Sequence, residues 1–208
     1  MKHHVIISGT GRAGTTFLVQ LLTALGLDTG FPDPESGIYA NCNAGMELDL
    51  RQPEAPYIVK SPYICDYLDE VMRSGRVVID HAIVPMRDLF AAAESRRDVS
   101  SRSNLPVPPD RVAGGLWNTT RPDDQEAVLT QQFYKLFIAL AEHDIPVTLL
   151  HFPRLATDAD YLYGKLSFLL SNMPRGAFLR GFGSVSKPDL IHDFSVKGRG
   201  VRRQRLRD

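Results

Sequence analysis

The sequence predicts an α/β fold with a central, mainly parallel β-sheet flanked by helices. Three observations carry this expectation. Short apolar runs stand at Val5–Ser8, Tyr57–Val59, Val77–Met86 and Val147–Phe152, each is followed by a stretch of helical character, and turn-forming residues mark the junctions. Parallel strands can be joined only by a crossover long enough to hold a helix, so strand and helix alternate along the chain.

The elements follow in order. Val5 to Ser8 reads as a buried first strand and runs straight into the turn-prone stretch GTGRAG. Phe17, Leu18, Leu21, Leu22 and Leu25 then fall at helical spacing, and Gly26 supplies a stop, which predicts a helix over 14–25. Phe31 to Met46 lacks periodicity and reads as a long loop, a length that often carries function. Tyr57 to Val59 forms the second strand, ending in Lys60-Ser61-Pro62. A helix over Ile64 to Arg73 follows, stopped by Gly75. The run Val77 to Met86 is interrupted only by Asp80 and His81, and the alanine-rich stretch Leu89 to Arg96 is helical in composition. Pro106, Pro108 and Pro109 mark a loop before the helical pattern of Gln125 to Glu142 and the strand Val147 to Phe152. A last helix is expected at 158–171, ahead of a glycine- and arginine-rich C-terminal section.

A length of 208 residues suggests one compact domain spanning 1–208. A chain of this size hides roughly 70% of its extended surface on folding, so no disulfide or metal staple is required. Hydrophobic residues at 43% and charged residues at 23% exclude a disordered, collagen-like or coiled-coil chain. Cys42 and Cys65 lack zinc-ligand spacing and read as reduced thiols, and no metal site is expected. Only Val5, Ile6 and Ile7 follow the charged N-terminus before Ser8 and Gly9, too short a run for a signal peptide. No apolar stretch nears the ~18 residues of a membrane helix. The expectation is a soluble cytoplasmic protein with no transmembrane segment and no nucleic-acid partner. Formal charge is zero but uneven: residues 196–208 carry six of the 24 basic residues and one of the 24 acidic ones. Such a tail suits an anionic surface, a phosphorylated ligand or plain solvation.

Chemistry concentrates at Gly9 to Thr16, GTGRAGTT, between the first strand and the first helix. Glycines permit tight curvature, and a helix N-terminus offers unpaired N–H groups and the positive end of its dipole to phosphate oxygens. The glycine spacing is that of a Walker A loop. However, Thr15 stands where its lysine would be and the cation comes earlier, at Arg12, which argues against ordinary ATP or GTP hydrolysis.

At Arg12-Ala13-Gly14-Thr15-Thr16-Phe17 the chain resembles the sulfotransferase family, whose 5′-phosphosulfate loop reads (K/R)-x-G-T-T-hydrophobic. Val84-Pro85-Met86-Arg87-Asp88, with Ser95 eight residues after Arg87, resembles the family's 3′-phosphate element. Tyr57-Ile58-Val59-Lys60-Ser61-Pro62 is similar to the strand ending in K-(S/T)-P of the carbohydrate-type branch, and Val196-Lys197-Gly198-Arg199-Gly200 looks like the family's loop over the adenosine 3′-phosphate. The motifs cover residues 5–97 and part of the tail; residues 98–190 add little. The resemblance implies a three-layer P-loop-type fold and transfer of a sulfuryl group from PAPS, with PAP as product, to a hydroxyl of a small-molecule, lipid or carbohydrate acceptor. It assigns Gly11, Arg12, Ala13, Gly14, Thr15, Thr16, Arg87, Ser95, Lys197, Gly198 and Arg199 to the nucleotide, with Arg12 and Lys60 stabilising charge in transfer.

A base must take the acceptor's proton. The small-molecule branch places a histidine after the second-strand lysine, and Ser61-Pro62 stands there instead. The carbohydrate branch uses a glutamate in the loop after the first helix, and Glu35, 23 residues after Arg12, fits its separation best, ahead of Glu47 and Asp33. Two other readings remain open. Asp80 could hold magnesium for a P-loop kinase, although its place inside an apolar run favours an inter-strand role. The fold could also bind a nucleotide without catalysis. The acceptor itself, built against loops 31–50 and 98–122, is not legible.

Overall fold

The computed structural model describes residues 1–39, 42–191 and 194. It shows an α/β architecture: a parallel four-stranded sheet flanked by helices on both faces, in three layers. The sheet strands are β1 (Lys2–Ile7), β4 (Ile58–Lys60), β5 (Val77–Met86) and β6 (Val147–His151), in the order β4-β1-β5-β6. Two further short strands, β2 (Ile38–Tyr39) and β3 (Ala44–Gly45), form an antiparallel pair within the stretch expected to be loop.

Strand alternation builds the layers. Val5 and Ile7 of β1, Ile58 of β4 and Ile83 of β5 join one core with α1 (Thr15–Ala24), α5 (Arg154–Thr157), α6 (Ala159–Lys165) and α7 (Arg175–Val185). Ile6, Val59, Ala82 and Val84 point the other way, into a core shared with α2 (Ile64–Arg73), α3 (Leu89–Arg102) and α4 (Gln125–Glu142). A central strand buried on both faces needs apolar residues at successive positions, which is why the strand runs read as continuous rather than alternating.

Three differences from the sequence reading have physical causes. The predicted 158–171 helix closes at Lys165 and gives way to turns, and α3 runs six residues beyond Arg96 to Arg102. The third is α7, which lies in the section read only as glycine- and arginine-rich. Its Gly176, Gly181 and Gly183 each weaken a helix by ~1 kcal/mol relative to alanine. Packing overrides that: Phe178, Phe182 and Val185 bury one stripe, and Gly181 lets α1 approach, since a Cβ there would stand 2.7 Å from Leu25 Cδ2.

No helix among the described residues is long and apolar enough to cross a membrane. Both cysteines are free and buried. Cys65 Sγ donates to Gln132 Oε1 across the α2–α4 contact at 3.1 Å, and burial pushes its thiol up to about 12. The thiolate is the reactive form. Iodoacetamide at neutral pH should therefore leave Cys65 unmodified in the folded chain and alkylate it after denaturation; equal labelling in both states would contradict this packing.

Candidate functional site

All four parallel strands end at one edge of the sheet, and the segment leaving each contributes to a single cavity of about 420 Å³. The loop after β1 supplies Gly11, Arg12 and Gly14, with the Ala13 side chain buried away from the cavity, β4 ends on Lys60, β5 is followed by Arg87, and β6 by Phe152. The connection from β1 runs outward to β4, whereas that from β5 runs the opposite way to β6. Adjacent strands whose connections diverge leave a crevice at their carboxyl ends, where open α/β sheets bind ligands.

The loop between β1 and α1 turns through left-handed backbone at Gly11 (φ 65°), Arg12 (φ 54°) and Gly14 (φ 87°). Glycine is needed at two of these positions: a Cβ on Gly11 would stand 2.5 Å from Arg96 Nη2, and one on Gly14 2.9 Å from Leu155 Cδ1. Arg12 tolerates its conformation because it is held at three points. Its carbonyl accepts from Arg87 Nη1 at 2.9 Å, its Nε donates to Ser95 Oγ at 3.1 Å, and its Nη1 donates to the Cys42 carbonyl at 2.6 Å. No side chain caps α1, and none of the amide N–H groups from Gly11 to Phe17 has an acceptor among the described residues. A run of free amides at the positive end of a helix dipole suits an anion.

Cations surround that loop. Among the described residues the cavity is lined by seven cationic side chains and two carboxylates, those of Glu47 and Asp110. Lys60 is 3% exposed, and its Nζ donates to the Gly45 carbonyl at 2.8 Å and to Glu47 Oε1 at 2.9 Å. Burial lowers its proton affinity and Glu47 restores part of it. Arg12 is likewise lowered by burial, and Arg102 lowers it further. An anion in the cavity would relieve both effects, because it favours the charged form of each neighbour. Arg87 lies over the Phe152 ring at 4.9 Å, which fixes its guanidinium beside the loop.

The structure therefore brings together Arg12, Thr15, Thr16, Lys60, Arg87 and Ser95, residues that the sequence placed on three separate segments. Lys197, Gly198 and Arg199 lie outside the described residues. Glu35 stands apart from this group. It sits on an exposed turn, pairs with Lys187 at 3.2 Å and does not line the cavity. Asp33 is exposed too, accepting from the Glu35 and Ser36 amides. The carboxylate delivered to Lys60 is Glu47, because the β2–β3 pair folds the chain back and Leu48 N then donates to the Lys60 carbonyl at 3.0 Å. Asp80 takes the inter-strand role, accepting from His3 Nδ1 at 2.7 Å and from the Tyr57 hydroxyl at 3.1 Å, and it does not line the cavity.

Arg96 escaped the sequence reading. It is 6% exposed, donates to the Thr10 carbonyl through Nε and Nη2 at 3.2 and 2.7 Å, and donates to the Gly115 carbonyl through Nη1 at 2.7 Å. Its guanidinium stacks over Trp117 at 5.1 Å, and burial lowers its pKa to about 10. Nothing in the local sequence separates it from Arg97, which pairs at the surface with Glu94 and Glu126. Trp117, read as core or pocket packing, serves as both: it is buried and it lines the cavity, edge-on to Tyr63 at 5.8 Å.

No family model, curated protein or solved structure matches this chain.

Proposed function

We propose that the chain is a sulfotransferase that takes PAPS as donor and a hydroxyl compound as acceptor. The observation that supports this most directly is the convergence on one cationic cavity of the Gly11–Thr16 loop, Lys60, Arg87 and Ser95. These are the residues whose motifs resemble the family's, and no local pattern obliges them to meet.

In this reading the loop amides and Arg12 hold the 5′-phosphosulfate, and Arg87 with Ser95 holds the 3′-phosphate. The acceptor oxygen forms a bond to sulfur while the bond from sulfur to the bridging phosphate oxygen breaks. The electron pair departs on that oxygen with PAP. Negative charge grows on the bridging and peripheral oxygens, and buried Lys60 is placed to offset it. Glu47, 36% exposed at the side chain and held by Lys60, receives the acceptor's proton. Charge placement and positioning supply most of the catalysis, as in phosphoryl transfer.

Calorimetric titration with PAP, and separately with magnesium ATP, tests the donor. PAP should bind and ATP should not; ATP binding without a PAP preference would replace the proposal with a kinase. Arg87→Ala removes a charged contact worth about 1.5–3 kcal/mol, so PAP affinity should fall roughly 10- to 100-fold while the chain stays folded, its melting temperature lowered only by the loss of the bond to the Arg12 carbonyl and the contact with Phe152. Unaltered affinity in that variant would count against the assignment of the 3′-phosphate. PAP binding without PAP release from PAPS across a panel of hydroxyl acceptors would leave a nucleotide-binding protein rather than an enzyme.

A further inference from the structure

One face of α3 ties together two segments that line the cavity from different directions. Ser95 and Arg96 reach the loop after β1, at Arg12 Nε and at the Thr10 carbonyl. Arg96 and, one helical turn on, Ser100 reach the wall segment Val112–Trp117: Arg96 Nη1 donates to the Gly115 carbonyl at 2.7 Å and Ser100 Oγ accepts from Leu116 N at 2.8 Å. The wall in turn approaches the loop, since a Cβ on Gly114 would stand 3.4 Å from Arg12 Nη1. Its far end is pinned by buried Gln125, whose Oε1 accepts from Trp117 N at 2.7 Å.

Arg96 is the one residue of this set whose side chain bonds both segments at once. Its fork is planar, so the directions of the Thr10 and Gly115 carbonyls are fixed relative to each other. With its carbonyl held by Arg96, Thr10 presents that oxygen to α3, while the amides that follow stay free for an anion.

We infer that Arg96 is a positioning residue that couples the anion-binding loop to the Val112–Trp117 wall, so that an anion bound at the loop also orders the wall where the acceptor half of the cavity forms. The coupling rests on the donor reading above only in the identity of the anion. A fully packed, carbonyl-bonded guanidinium is a rigid two-position link of the kind through which packed segments transmit order. It implies ordered binding, with the donor first and the acceptor second.

Hydrogen exchange of the full-length chain, read with and without PAP and in parallel with inorganic pyrophosphate, tests this. In the wild-type chain either anion should slow exchange in Gly11–Phe17 and, with the same concentration dependence, in Val112–Trp117. Arg96→Lys keeps the charge but cannot hold both carbonyls in one plane. It should still bind the anion, slow the loop and leave exchange in the wall unchanged by ligand. Gln125→Ala, which loosens the wall without touching Arg96, should raise wall exchange yet keep its response to the anion.

Protection confined to the loop in the wild-type chain overturns the coupling, as does an undiminished wall response in Arg96→Lys. If PAP has no effect while pyrophosphate protects both segments, the coupling stands and the sulfotransferase reading falls. If PAP binds without a response in the wall, the reverse holds. No protection with either anion overturns both.

Discussion

Under the proposed sulfuryl transfer, Lys60→Met should slow PAP release from PAPS about 10²–10³-fold while changing folding stability by less than about 1 kcal/mol, or improving it. The argument begins with position. Lys60 is the last residue of β4, 3% exposed, with one bond to a backbone carbonyl and one to Glu47. Burying an ammonium is unfavourable, and its proton affinity is lowered for that reason. Methionine fills nearly the same volume without the charge. The partner left behind, Glu47, is 36% exposed and can be hydrated, so it does not become an isolated buried ion. The remaining loss is the Gly45 carbonyl's bond, about 1 kcal/mol, offset by the removed desolvation. A lysine retained for folding would behave in the opposite way. Urea denaturation and initial-rate measurement on the same preparation distinguish the two: a drop in stability of several kcal/mol with activity retained would make Lys60 a structural residue. Glu47→Gln should also slow release, and the deficit should narrow as pH rises enough to ionise a phenolic acceptor without help.

The sequence exposed the parts of this molecule that depend on short-range physics. Ile6 and Ile7 had to be apolar because β1 is central and covered on both faces, and that requirement is visible as an unbroken run. The glycines at 9, 11 and 14 had to be glycine because the backbone there adopts positive φ. The position of Ser95 followed from Arg87 because both hang on one strand–helix junction, and a helix fixes the distance between its turns.

What was not legible depends on contacts made far along the chain. Glu35 and Glu47 are both loop glutamates, and counting residues from Arg12 favours the one that does not line the cavity. Only the β2–β3 pairing, with Ile38 opposite Gly45, shows that the chain doubles back and carries Glu47 to Lys60. Gly45 makes that fold possible, since a Cβ there would stand 2.1 Å from the Gly37 carbonyl. In the same way α7 lies in a section legible only as glycine- and arginine-rich, and it is helical because Phe178 and Phe182 have α1 to pack on. Adjacent arginines 96 and 97 differ only in which side of α3 the core happens to meet, and that difference separates a fully enclosed guanidinium from a surface ion pair.

That enclosure makes Arg96→Met the substitution expected to damage folding most. Its guanidinium makes three hydrogen bonds to carbonyl oxygens and has no carboxylate within ion-pair distance among the described residues, so the charge is stabilised chiefly by backbone dipoles and the Trp117 ring, with Glu47 adding to it at longer range. Methionine recovers the packing of the stem but leaves the carbonyls of two buried residues, Thr10 and Gly115, without donors. Each buried acceptor left so costs about 1–3 kcal/mol, and the loss of contact with Trp117 adds to it. The sum is about 3–5 kcal/mol, a large share of the stability of an ordinary domain. For a chain of this length that corresponds to a melting temperature lower by about 6–20 °C. Arg97→Met, one residue along, removes a partly exposed pair with Glu94 and Glu126 and should cost about 1 kcal/mol or less. Thermal unfolding of the two variants side by side checks the contrast. Equal shifts would mean that the Arg96 carbonyl contacts contribute no more than a surface ion pair, and a larger loss for Arg97 would place the structural arginine on the other face of α3. If Arg96→Met melts far below the wild type, PAP added before heating should recover less of the lost temperature than it adds to the wild type, because the loop it must engage has lost the brace behind Thr10.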